Sequence, residues 1–154
     1  MWNYKYNKQV AEELKRRYPN CTIVFGGWQQ PISDRNQDFF KEHPYVDVAV
    51  HGEGEIAFED ILLEALKEEP DWRSITGCSV PNEDLTTHVN VERPRIKSID
   101  EMPSPYLNGL FDQLVAEATH DYALESTIET TRGCPYSCTF CEIGTSYYNK
   151  VKRQ

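Results

Sequence analysis

The sequence predicts an α/β protein built on a parallel sheet. Three observations carry that reading. Helix-like and strand-like segments alternate from Tyr6 to Lys67. The strand-like segments, Cys21 to Phe25 and Val46 to Val50, are short runs dominated by apolar residues, as strands covered on both faces are. Each run is followed closely by glycine, at Gly26-Gly27 and at Gly52.

Taken in order, Tyr6, Val10, Leu14 and Tyr18 recur every four residues among Lys and Arg, and Pro19-Asn20 ends this first helix. Cys21 to Phe25 is the first strand. Ser33 is placed to cap a short helix through Phe39 and Phe40. Val46 to Val50 is the second strand, and Ile56 to Lys67 an amphipathic helix carrying Ile61, Leu62, Leu63 and Leu66. Beyond Pro70, Ile75 to Val80 and His88 to Val91 read as short strands, a hairpin or edge pieces. Pro94, Pro103 and Pro105 among alternating charges mark a linker. Leu107 to Ala118 suits a short helix, and Ala123 to Thr130 a strand running into Thr131-Arg132-Gly133-Cys134.

The 154 residues are 39% hydrophobic, enough for a core, and no apolar run approaches the roughly 20 residues that span a bilayer. Net charge is −9, so the chain lacks the broad basic field that attracts nucleic acid or anionic lipid. The charge is uneven. Eight acids and one base lie between Glu53 and Asp71, whereas four bases and one acid lie between Arg132 and Gln154. No basic-then-apolar leader opens the chain, and the five cysteines are odd in number, so a cytoplasmic protein without a disulfide framework is expected.

Three glycine-containing turns follow three expected strands: Gly26-Gly27, Gly52-Glu53-Gly54 and Arg132-Gly133-Cys134. In parallel α/β folds ligands bind outside the carboxyl ends of strands, so these turns are the candidate site. Each also reads as an ordinary tight turn, and Glu53 and Glu55 as acids suited to a helix N-terminus.

Cys134, Cys138 and Cys141 stand at C-x3-C-x2-C spacing. Soft thiolates select iron–sulfur clusters, zinc or copper(I). Zinc sites usually close four ligands with a second pair, but no fourth ligand lies nearby, the nearest upstream histidine being His120. A four-iron cluster held by three cysteines with one iron open fits best. Zinc and incidental thiols are the alternatives. Cys21 and Cys78 read as structural thiols.

Glu129 to Cys141, with Phe140 just before the last cysteine, closely resembles the cluster loop of radical S-adenosylmethionine enzymes. Val24 to Gly27, Tyr45 to Glu55 and Met102 to Asp112 resemble the sheet turns and linker of their cobalamin-binding class. The resemblance implies a partial Rossmann-like cobalamin domain over residues 1–75, short strands and a linker over 76–120, and the start of a β/α barrel with its cluster loop over 121–154. It implies a 4Fe-4S cluster on Cys134, Cys138 and Cys141, and S-adenosylmethionine beside Phe140. Cobalamin would lie against Gly26, Gly27, Gly52, Glu53, Gly54 and Glu55. His51 is not assigned to cobalt, because no D-x-H-x-x-G motif is present.

The resemblance further implies a radical enzyme that methylates or rearranges a small-molecule substrate, with a reductant protein as partner. Thirteen residues follow Cys141, whereas a barrel takes about 200 or more. The first strand and helix of a cobalamin domain are also missing, so an inactive fragment is expected, with a second chain as a candidate to complete the barrel. The rival expectations are a radical enzyme that does not use cobalamin and a small zinc-binding interaction module.

Overall fold

The computed structural model describes residues 3–27, 37–118, 124–136, 138–141 and 152–153. The chain divides into two compact units, Met1–Arg95 and Ile96–Gln154. The first unit opens with helix α1 (Tyr4–Arg17), whose last turn carries Lys15, Arg16 and Arg17 where the carbonyl end favours positive charge. The helix closes at Tyr18, whose N–H donates to the Leu14 carbonyl at 2.8 Å. Strand β1 (Val24–Phe25), helix α2 (Phe39–Glu42), strand β2 (Val48–Val50) and helix α3 (Glu55–Ala65) follow. A 3₁₀ turn at Trp72–Ser74 leads to strands β3 (Cys78–Pro81) and β4 (Thr87–Val89). The helix-strand-helix-strand-helix order matches the sequence pattern. Ser33, the expected cap of α2, lies outside the described residues.

The four strands form one sheet in the order β1-β2-β3-β4. Successive side chains of a strand point to opposite faces, and the core divides accordingly. Ile23, Val46 and Ala49 pack with Phe39 and Phe40 of α2, Ala11 of α1 and Tyr45 on one face. Val48, Val50, Cys78 and Val80 pack with Ala57 and Ile61 of α3 on the other. Burial on both faces is why the β2 run reads almost wholly apolar. Its one acid, Asp47, is a fastener. Its carboxylate accepts from Lys15 Nζ at 2.8 Å and from the Ile23 N–H at 2.7 Å, tying α1 to the start of β1.

The parallel sheet expected from the sequence is present for β1 and β2 alone, with Val24 opposite Val48 and Phe25 opposite Ala49. β3 runs antiparallel to β2, and β4 antiparallel to β3. After α3 the chain continues through the 3₁₀ turn and re-enters beside the exit of β2, where the His51 N–H donates to the Gly77 carbonyl at 2.8 Å. A strand entering there can only run backwards. Gly77 turns the chain with φ +76°, and a Cβ at this position would meet Arg93 Cβ at 2.9 Å. β3 and β4 form a hairpin closed by Asn82 N–H to Thr86 carbonyl at 2.8 Å. Because this hairpin belongs to the sheet, the first unit extends to Arg95, beyond the expected boundary at residue 75.

In the second unit a 3₁₀ turn at Ile99–Glu101 starts on Ser98, whose hydroxyl accepts the Asp100 N–H at 3.2 Å. Helix α4 (Asp112–Glu117) is shorter than the expected Leu107 to Ala118, because the chain before it turns at Gly109 with φ +73°. The expected strand from Ala123 to Thr130 is replaced by strand β5 (Thr131–Arg132), which pairs antiparallel with strand β6 (Lys152–Arg153). Ala123 lies outside the described residues, and residues 124–130 carry no strand. Instead the Tyr106 hydroxyl accepts the Thr127 N–H at 3.0 Å and lies 3.2 Å from its carbonyl, to which it can donate. Both strands described beyond residue 120 thus pair with each other, and no parallel barrel strand is described there. Among the described residues no helix is long and apolar enough to cross a membrane.

Candidate functional site

Two regions hold the residues singled out from the sequence, one on each unit. In the first unit, β1 and β2 are parallel neighbours, so the turns that follow them emerge at the same end of the sheet. Gly27 and Gly52 take φ +91° and +61°, the left-handed region that glycine enters without penalty. Gly54 caps α3, and a Cβ there would make an ordinary 3.7 Å contact with Val50 Cγ1. Gly26 is different. A Cβ built on it meets nothing within 4 Å among the described residues, so their packing does not demand glycine there. Room for a bulky flat ligand against the backbone is what that space offers.

Glu53 does not present its carboxylate at this end as an open group. Its Oε1 accepts from Arg95 Nε and Nη2, both at 3.3 Å, and the two side chains are only 5% and 10% exposed. The pair anchors the Gly52–Glu55 turn to the end of the first unit. His51 is likewise held against the sheet, with Nε2 2.9 Å from the Oγ of fully buried Ser79. Sequence reasoning missed Arg95 and Ser79, whose partners are 42 and 28 residues away along the chain. It also missed Asn90, whose amide donates to the Trp72 and Ile75 carbonyls, both at 2.8 Å, and so fixes the return path to β3. Asp47 alone had a legible signal, as an acid inside an apolar run.

In the second unit, β5 delivers the chain to Gly133, at φ +102°, and then to the cysteines. Cys134 and Cys141 are half-buried and Cys138 is exposed. The Cys141 N–H donates to the Cys138 carbonyl at 3.1 Å, closing a tight turn over the second half of the motif. Phe140 is 91% exposed. Among the described residues no three His, Cys, Asp or Glu side chains converge closely enough to hold a metal ion. The thiols are therefore close in sequence but not gathered in space, and the metal assignment rests on the chemistry of the donor set. His120 lies outside the described residues. Cys78, by contrast, is sealed in the core, where burial pushes its thiol up to about 11.

The fold and the two regions define a mixed α/β unit with glycine turns at the carboxyl end of two parallel strands, followed by a three-cysteine loop. No protein-family model matches the chain. It is 40% identical over 99% of its length to the cobalamin-dependent radical SAM methyltransferase TokK of Streptomyces tokunonensis. It is 44% identical, again over 99% of its length, to the 2-(S-pantetheinyl)-carbapenam-3-carboxylate methyltransferase of Streptantibioticus cattleyicolor. The chain spans 22% of the length of each of these relatives. Its fold superposes on the solved cobalamin-dependent S-adenosylmethionine radical enzyme OxsB with a TM-score of 0.68 at 24% identity, covering 98% of this chain and 20% of that one. Over nearly its whole length the chain is thus similar to one segment of cobalamin-dependent radical S-adenosylmethionine enzymes, a segment that makes up 20–22% of their length.

Proposed function

We propose that this chain supplies the corrinoid-facing turns and the cluster loop of a cobalamin-dependent radical S-adenosylmethionine methyltransferase. The observation that carries this reading is the space beside Gly26, clear of the described residues, at the carboxyl end of a parallel strand. Gly26, Gly27 and the Gly52–Glu55 turn let a corrin approach the backbone, and the Glu53–Arg95 pair keeps the second turn in place. Cys134, Cys138 and Cys141 hold a 4Fe-4S cluster as thiolates, with the fourth iron left for S-adenosylmethionine beside Phe140. When bound, these groups supply the electron transfer, radical and methyl carriage, while the protein positions them and keeps water out. The substrate is a small molecule, and a reductant protein delivers the electron. Rearrangement in place of methyl transfer is the finer alternative for the reaction.

The test is anaerobic reconstitution with iron and sulfide followed by titration with hydroxocobalamin, both read by absorbance. Cys134→Ala, Cys138→Ala and Cys141→Ala should each lose the iron–sulfur absorbance. Gly26→Leu should keep the thermal midpoint, because no described residue lies within 4 Å of the Cβ it adds, yet weaken corrinoid uptake. Stoichiometric zinc that resists replacement by iron would overturn the cluster assignment. Corrinoid uptake unchanged by Gly26→Leu would overturn the placement of the corrin.

A further inference from the structure

One turn in the second unit is capped at both ends, and Tyr106 stands inside it. At its entrance the Ser104 hydroxyl accepts the Leu107 N–H at 3.3 Å. At its exit the Leu110 N–H donates to the Pro105 carbonyl at 3.0 Å and the Gly109 N–H to the Tyr106 carbonyl at 3.3 Å. Gly109, at φ +73°, supplies the left-handed residue that this crossed closure needs. The Tyr106 ring leans on Phe111, with centroids 5.3 Å apart. Backbone and ring are both fixed, in a unit whose only buried apolar side chain among the described residues is Ile96.

The arm so held reaches across 21 residues of sequence. Its hydroxyl accepts the Thr127 N–H at 3.0 Å and faces the Thr127 carbonyl at 3.2 Å, to which its own proton can go. One side-chain oxygen thereby occupies both backbone groups of one residue. Residues 124–130 form no strand, and among the described residues these two are the hydrogen bonds that tie them to the chain before them. Cys134 follows seven residues after Thr127, past the Glu129–Arg132 ion pair and β5. We propose that Tyr106 is a positioning residue for the cysteine loop, fixing Thr127 so that Cys134, Cys138 and Cys141 close on one cluster in a single arrangement. Among the described residues the thiols are not gathered, so ordering of the loop accompanies binding. A loop already pinned near its base loses less conformational freedom in that step. On the cluster reading proposed above, which this role presupposes, Tyr106 acts through Thr127 and touches no iron.

Tyr106→Phe keeps the ring against Phe111 and removes only the hydroxyl. Thr127→Val changes a side chain and keeps both backbone groups, so it is the control. In the metal-free 154-residue chain, Tyr106→Phe should lower the amide-exchange protection of residue 127 about fivefold, the scale of one net hydrogen bond. Thr127→Val should leave that protection unchanged. After anaerobic reconstitution with iron and sulfide, a chelator should bleach the cluster about fivefold faster in Tyr106→Phe. The electron paramagnetic resonance spectrum of the reduced cluster should also broaden, because the three thiolates then settle in more than one arrangement. Loss of stability alone would hasten bleaching and leave the line shape as it is. Gly109→Ala reaches the same point by another route. It strains the turn that carries Tyr106, where the added Cβ would meet Asp112 Oδ2 at 2.9 Å, and should broaden the spectrum in the same sense. Unchanged protection of residue 127 in Tyr106→Phe would overturn the contact. Lost protection with an unbroadened spectrum would overturn the positioning role, in whichever of the two variants it is seen. A chain without substitutions that gains no iron–sulfur absorbance would overturn the cluster reading itself, and this role with it, before any variant is compared.

Discussion

Burial separates Cys78 from Cys21. Desolvation pushes its thiol up to about 11, whereas Cys21 is exposed. Only the thiolate reacts, so a disulfide reagent at pH about 8 should modify Cys21 within minutes and leave Cys78 untouched until the chain unfolds. Mass spectrometry of the labelled peptides distinguishes the two. His43 has a comparable history. It lies among Tyr4, Phe39 and Tyr45, and burial holds its imidazole below the ordinary range, assisted by Lys8 and opposed by Glu42. The fold therefore favours neutral His43, and the unfolded chain binds the extra proton first. That stability is present above about pH 6.5 and is lost as pH falls below it. His43→Gln should flatten the slope of thermal midpoint against pH between about 7 and 5.

Legibility at this scale followed chemistry rather than contact. Three cysteines at fixed spacing and glycines after apolar runs are visible in one dimension. The partners that decide what those residues do, such as Arg95 for Glu53, are not, because nothing in a string of letters marks a contact 42 positions away.

Among the elements, the hairpin of β3 and β4 contains a correctable flaw. Leu85 adopts φ +61°, the one non-glycine residue in that region among those described. An L-residue there costs roughly 1–2 kcal/mol, and Leu85 is partly exposed, so Leu85→Gly forfeits little burial. The variant should be more stable by about 1 kcal/mol in urea denaturation. The Glu53–Arg95 pair predicts the opposite sign. Arg95→Met removes the described cationic partner of a buried carboxylate and should be destabilising by about 3 kcal/mol, whereas Glu53→Leu with Arg95→Met should recover part of the loss. A double-mutant cycle read by thermal unfolding checks this. The existence of α1, β1, β2 and α3 was legible because their apolar periods are those of helices and doubly buried strands. The direction of β3 was not, since it depends on where a twelve-residue connection, residues 66–77, re-enters the sheet.

At the scale of the whole molecule the two units differ in what can hold them folded. The first contains both faces of a sheet and their buried side chains. In the second, Leu107, Leu110, Leu114, Val115, Ile128 and Phe140 are all exposed, and among its described residues Ile96 is the only buried apolar one. A segment whose described residues bury so little can draw stability from what binds it, and metal binding is then folding free energy. Iron–sulfur reconstitution should therefore slow amide exchange across residues 131–141 and leave β2 and β3 unchanged. Chelation of the iron should return the loop to fast exchange.

The two sides of the sheet also differ in what they leave open. At β4 the Thr87 N–H is committed to the Gln37 carbonyl at 3.0 Å, and the strand is only three residues long. At β1 the edge lies open among the described residues. In polymer terms the sheet has a valence of one. A building block with two adhesive sides extends into a fibre, but one with a single adhesive side is spent when it meets its match. Concentrating the chain should therefore give no dye-binding signature of cross-β growth.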